Sequence, residues 1–458
     1  VVLLGFPPPV SSRPVAARNH GRWLVAALGV AAAAAGVVRA VDLTWLPHGI
    51  PSFDVADYVN QALRYRDALA AGRFGDVGAL LLVPNVHPPV HALALGAWLA
   101  ASGGAMAAAC AFEVLLFAFA LALLVWVGHR ADPVSGRWAG LGAAAVTAWS
   151  TEHQRLAAAP MTENLALVAA LVAVGVAIPV VSRLRDDVGA FLLAGGAVCV
   201  AGLVRWNLAP MLLVPFVLAA VVEARSFAQA RDARIALLAA PSFFTVVAWE
   251  RFRPGLFSEL AAFFRNVDSG LDPTSAENLT WVPRTLAGSG YLGAPVAVGV
   301  GALFVAGLVH AWAARLRPPP DDAPLRAIRL VQLVALVGLT AIAVHPYKLE
   351  RVLHGTVPVL VLGALLPLAR AATRAPSTGR FGAAALVGLA VAALVARSGP
   401  AALPRPELLD RPADTAILDA VVAHTRSAVH LVISGNHPRI NRHNLELWRR
   451  LAGRDVGV

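Results

Sequence analysis

His87-Pro88-Pro89-Val90-His91-Ala-Leu-Ala-Leu-Gly-Ala-Trp-Leu-Ala-Ala101 is the stretch on which the folding of this chain turns. Residues 90–101 are apolar. At 1.5 Å per residue about twelve residues of helix cover about 18 Å, well short of a bilayer core of about 30 Å. The two prolines stiffen the entry, and Pro at a helix start is ordinary because its missing N–H has no partner to lose there. The stretch therefore reads as a short helix that lies at, or dips into, a membrane interface and does not cross. Gly103-Gly104 then turns the chain.

The surrounding sequence makes the membrane unavoidable. The chain is 58% hydrophobic and 14% charged, with mean hydropathy +0.67. A soluble domain carries about 25% charged residues. Apolar runs of about 17 to 25 residues recur, the length that spans a bilayer core. A net charge of +11 would suggest nucleic acid in a soluble protein. Here the arginines fall in short clusters between apolar runs, as the positive-inside rule expects, so no nucleic-acid partner follows. Lys348 is the only lysine. Cys110 and Cys199 lie inside apolar runs and read as small core residues. No cleavable signal peptide is expected, because the first apolar run is long enough to span.

With residues 90–101 left out of the count, the sides fall into order. Arg13, Arg18 and Arg22 precede a first crossing over residues 23–41, which places residues 42–89 outside. Crossings follow at residues 105–128, 138–149, 163–181, 189–204, 208–222, 235–249, 294–312, 330–344, 353–368 and 381–396. Every loop thus assigned to the cytoplasm carries at least two arginines; counting residues 90–101 as a crossing would invert all later loops and break that pattern. The expected architecture is an all-α polytopic membrane protein with about eleven transmembrane helices over residues 1–398. A long outer loop is expected at 250–293. Residues 399–458 read as a small extracytoplasmic α/β appendage with no catalytic signature. The protein would be integral to the plasma (inner) membrane, with its N-terminus cytoplasmic.

The same topology gathers ionisable residues on the outer side: Asp54, Asp57, His87, His91, Glu152, His153, Glu163, Arg205, His345, Lys348, Glu350 and Arg351. Each has an ordinary explanation. Asp54 follows Pro51-Ser52-Phe53 and can cap a helix. Asp57 suits the first turn of that helix. Thr162 and Glu163 can do the same for the span after Pro160. Arg205, Lys348 and Arg351 can snorkel. Each also has a chemical one: Asp54 as a general base at the membrane surface, and the three cations as a clamp for a lipid phosphate. His87 and His91 stand four apart, but the prolines between them and the lack of a clear third ligand argue against zinc. Glu113 lies within a predicted span and has no evident role. Asn278-Leu279-Thr280 matches a glycosylation sequon, a tripeptide common by chance.

Four of these features, in this order and on one side, resemble the GT-C superfamily of polytopic glycosyltransferases, specifically its family 39 and ArnT-like branch, which includes protein O-mannosyltransferases. An acid stands four residues before a tyrosine, Asp54 and Tyr58. A His-Pro-Pro sequence at 87–89 opens a short apolar helix. Pro160-Met161-Thr162-Glu163 opens a second helix. His345-Pro-Tyr-Lys348-Leu-Glu-Arg351 precedes the helix containing Pro358. The family often has Glu where this chain has Val55, and lysine where it has His87. The resemblance implies a GT-C type fold, a polyprenyl-phosphate-linked sugar as donor, and an outer-face acceptor that is a lipid, glycan or protein, all within reach of membrane lipids. Asp54 would be the catalytic base. Asp57, Tyr58, His87, Glu163, Arg205, His345, Lys348 and Arg351 would bind substrate. No cofactor is implied; a divalent metal is compatible but not indicated, since no Asp-x-Asp appears in the first loop. A phosphate-linked sugar has a good leaving group, so one base suffices, without the paired carboxylates of glycosidases. The alternative from another class is a transporter or lipid flippase, which would need ionisable groups near mid-membrane and broken helices.

Overall fold

A computed structural model describes residues 29–38, 53–82, 88–103, 106–157, 159–182, 187–223, 233–252, 254–259, 262, 274–288, 291–314, 322–345, 350–374 and 377–397. The expected C-terminal appendage lies outside the described residues. Within them the regular structure is helical, with no strand. Five helices are long and apolar enough to cross a membrane: α5 (Met106–Ala131), α8 (Thr162–Val181), α13 (Ala294–Ala313), α14 (Ala323–Val344) and α15 (Val357–Arg374). Shorter apolar helices, among them α1 (Gly29–Val38), α9 (Val188–Val204) and α10 (Leu208–Val222), coincide with other expected crossings. The protein is an integral membrane protein built as a helical bundle.

Between apolar helices in lipid no hydrophobic drive remains, so close packing and interhelical hydrogen bonds must hold them. Both are present. Trp149, which ends α6 (Gly136–Trp149), donates through Nε1 to the Ala32 carbonyl of α1 at 2.8 Å. At the end expected to be cytoplasmic, Arg329 of α14 grips Glu223 with two bonds of 2.5 and 2.6 Å and donates to the Ala311 carbonyl at 2.9 Å. Arg370 of α15 pairs there with Asp132 and Asp322. These arginines are fasteners between helices.

The hairpin that follows α1 forms a separate apolar layer at the opposite end. Helix α2 (Phe53–Ala70) leads through α3 (Phe74–Leu82) to α4 (Pro89–Ser102). Pro88 is extended, Pro89 starts α4, and Gly103 at φ 88° stops it. Its 14 residues rise about 21 Å. His91, Leu95 and Leu99, one helical turn apart, are all buried, and they pack with Val55, Tyr58, Val59 and Leu63 of α2. Gly96 permits this contact: a Cβ there would stand 2.6 Å from the Ala62 carbonyl oxygen and from Tyr65 Cβ. Gly96→Ala should therefore push α4 off α2 at a cost of about 1–3 kcal/mol, seen as a lower melting temperature in detergent micelles. Trp98 fastens the layer to the bundle, donating to the Ala108 carbonyl of α5 at 2.8 Å.

Candidate functional site

Where the α2–α4 layer meets the bundle, four segments bring ionisable side chains together. The first turn of α8 supplies Glu163, whose side chain is 2% exposed. A carboxylate at a helix N-terminus is favoured by the unpaired N–H groups there. Arg205 caps the C-terminus of α9 with extended backbone, which turns it toward α8: its Nη1 lies 3.4 Å from Glu163 Oε1. Arg351, in the 3-10 turn Glu350–Leu353, approaches the same oxygen through Nε at 3.8 Å. The other oxygen, Glu163 Oε2, is buried and has no hydrogen-bond partner among the described residues. One carboxylate oxygen thus sits between two cations.

Helix α2 closes this cluster from the other side. Tyr58 is buried, hydrogen-bonds Thr162, and feels Glu163, Arg205 and Arg351. Burial, reinforced by Glu163, pushes its phenol well above the usual range despite the arginines, so Tyr58 is a neutral hydrogen-bonding group. Asp57, in the first turn of α2, accepts from Gln61 Nε2 at 3.0 Å and is 9% exposed. The backbone of Asp54 stands one helical turn before Tyr58. The side chain of Asp54, with His87 and Lys348, lies outside the described residues. His345 caps the end of α14 and is exposed. Of the expected site residues, then, Tyr58, Glu163, Arg205 and Arg351 converge.

A second polar layer, which sequence reasoning did not assemble, lies against the first. His91 Nε2 of α4 is 2.7 Å from Glu113 Oε1 of α5, both side chains fully buried. The tip of His91 therefore faces α5. Asn164 donates through Nδ2 to Glu113 Oε2 at 3.1 Å and to the carbonyls of Leu156 and Ala157 at 3.0 and 3.3 Å. Its Oδ1 accepts from His354 Nε2 at 3.1 Å. The carbonyl of His354 accepts from His153 Nε2 at 3.0 Å, which leaves His153 Nδ1 to accept from Ser150 Oγ at 2.9 Å. The His91 ring meets Tyr58 edge-on at 5.6 Å, so the two layers touch. The signals were thin: one acid in an apolar run, and polar residues next to Glu163 and shortly after Arg351. The sequon fares differently. Asn278 is fully buried and donates to the Ala343 carbonyl at 2.9 Å. Among the described residues no three His, Cys, Asp or Glu side chains converge on a cation position.

The histidines set a pH dependence. Burial pulls His153 from 6.5 down to about 4, against its bond to the His354 carbonyl. Burial also lowers His354, helped by His153, Arg205 and Arg155. Both are neutral when folded and take up a proton when unfolded below about pH 6.5. Their stabilising contribution is complete above pH 6.5 and is lost as pH falls toward 4, by about 3 kcal/mol for His153 alone. Thermal melts between pH 7 and pH 4 should show this loss, and His153→Asn should flatten it.

No protein-family profile and no curated protein matches the chain. Solved structures do. ArnT from Cupriavidus metallidurans bound to undecaprenyl phosphate aligns over 93% of this chain and 84% of its own, at 17% identity and TM-score 0.57. The Archaeoglobus fulgidus oligosaccharyltransferase, in complex with zinc and sulfate, aligns over 92% of this chain at 11% identity and TM-score 0.52. The same archaeal enzyme tethered to an acceptor peptide gives 93%, 11% and 0.53. The chain spans about 61% of the length of that oligosaccharyltransferase. At such identities the likeness is one of fold.

Proposed function

From the GT-C fold that this chain shares with ArnT and the archaeal oligosaccharyltransferase, we propose that it is an inverting glycosyltransferase. It moves a sugar from a polyprenyl-phosphate donor to an acceptor on the outer face of the membrane. The observation that carries the reading is the Glu163 carboxylate held between Arg205 and Arg351 beside Tyr58, at the end of the bundle where α2 begins, one residue before Asp54. A polyprenyl phosphate needs cations at a membrane surface, and charge-assisted bonds from arginine are the strongest available. An acceptor hydroxyl or amide needs a base near C1 of the sugar.

In the proposed reaction Asp54 takes the acceptor proton as the acceptor atom bonds to C1. The bond between C1 and the phosphate oxygen breaks, and polyprenyl phosphate leaves with the electron pair. Attack opposite the leaving group inverts C1. Arg205, Arg351 and Lys348 stabilise the charge that grows on the phosphate, where fixed cations outperform water. As the phosphate draws on the arginines, Glu163 would accept from a sugar hydroxyl or amine. Asp57, His345 and His87 would complete the substrate-binding set. The site faces the periplasmic or extracellular side of the plasma membrane, as the arginine pattern of the loops supports.

The test is reconstitution with labelled polyprenyl-phosphate-linked hexoses and pentoses. The expected result is release of polyprenyl phosphate with an inverted product. Movement of these lipids between leaflets without release would favour a flippase and overturn the reading. Glu113 is the acid such a transporter would use inside the membrane, but both its oxygens are engaged by His91 and Asn164.

A further inference from the structure

The transfer chemistry makes no use of the second polar layer, yet that layer is costly. A carboxylate, three imidazoles and an amide are buried where apolar side chains would pack at less expense. An ionisable group such as Glu113 inside an apolar helix calls for a functional account. What the layer does follows from what it joins. Glu163 and Asn164 are neighbours in the first turn of α8. The amide of Asn164 has one orientation, because its NH2 faces Glu113 and two carbonyls while its oxygen faces a histidine donor. That turn is thereby fixed to α5, to the end of α7 (Thr151–Leu156), and to His354. The backbone N–H of His354 in turn donates to the Arg351 carbonyl at 3.1 Å. Glu113 carries the frame onward to His91, whose ring abuts Tyr58.

We infer that Asn164 and Glu113 are positioning residues, whose hydrogen bonds hold the Glu163 carboxylate in register with Arg351 and Tyr58. The inference rests on the glycosyl-transfer reading above and deepens it. Two of the three side chains around Glu163 are reached through this one frame. Without it each would keep its identity and lose its relation to the others. A displacement of about 1 Å at a reacting centre costs about 10²-fold in rate. An amide in place of the Glu113 carboxylate keeps the acceptor for Asn164 and turns its NH2 to His91 Nε2, which can accept once the imidazole carries its proton on Nδ1.

The experiment is a variant cycle on the full-length protein in detergent micelles, with rates expressed per folded protein by monodispersity and cooperative melting. Asn164→Ala and Glu113→Leu should each lower kcat by about 10²-fold. Glu113→Gln, which still accepts from Asn164, should lose less than about fivefold. In a Glu163→Gln background Asn164→Ala should cost less than about threefold more, because the group it positions is already gone. Effects that multiply across the cycle, or a Glu113→Gln variant as impaired as Glu113→Leu, would overturn the positioning role while leaving glycosyl transfer intact. A wild-type protein that releases no polyprenyl phosphate defeats the transfer reading, and this inference falls with it.

Discussion

Asp54→Asn is expected to abolish sugar transfer while leaving a folded protein in the membrane. Asp54 is the second residue of α2 and the amide is isosteric with the carboxylate, so the helix start survives. What it cannot do is take the acceptor proton. General-base catalysis contributes about 10² to 10⁴-fold, and the loss in kcat should fall in that range, with donor affinity little changed. Asp57→Asn is the internal control. Asp57 already accepts from Gln61, so its amide variant should keep most of kcat and show any contact with substrate as a higher KM. Full transfer by Asp54→Asn, measured as polyprenyl phosphate released per enzyme, would remove Asp54 from the chemistry.

The second large effect concerns Arg205. Arg205→Met keeps much of the apolar stem and removes the cation. If Arg205 stabilises the departing phosphate, kcat should fall by about 10² to 10³-fold, the usual loss when one transition-state donor is deleted. The same change leaves the buried Glu163 with one cation fewer, at a cost of about 1–3 kcal/mol in stability. The two consequences separate in the double variant Arg205→Met/Glu163→Gln. Neutralising Glu163 should restore the melting temperature, because no buried charge is left short of a partner. It should not restore transfer. Recovery of both would mean that Arg205 serves only to neutralise Glu163.

These two residues show how differently parts of the site could be read. Asp54 is proposed from sequence alone, because its setting is local: an acid at a helix start, four residues before a tyrosine, in the first polar loop after an apolar run. Arg205 and Arg351 were visible as cations at helix ends. Nothing in the sequence says that they share one oxygen of Glu163, since the three lie 42 and 188 positions apart on separate elements. Glu113 is the sharper example. In the sequence it is an acid stranded in an apolar run. In the fold it is the meeting point of α4, α5 and α8, with a histidine on one oxygen and an asparagine on the other. Periodicity reports the face a residue occupies and is silent on what that face meets.

The sequence by itself determined that this is a helical membrane protein, and the length of residues 90–101 together with the arginine pattern set the expectation for the sides of its loops. Those properties depend on hydrophobic length and local charge, which are additive along a chain. Only the tertiary structure decided which polar groups become partners: the Glu163 cluster, and the line from His91 through Glu113 and Asn164 to His354 and His153. In an apolar interior a lone polar group is expensive and a paired one is not, so partnership is selected in three dimensions. The stretch from His87 to Ala101 shows both sides. Its brevity is written in its composition, while the role of His91 comes from the carboxylate that the bundle places 2.7 Å away.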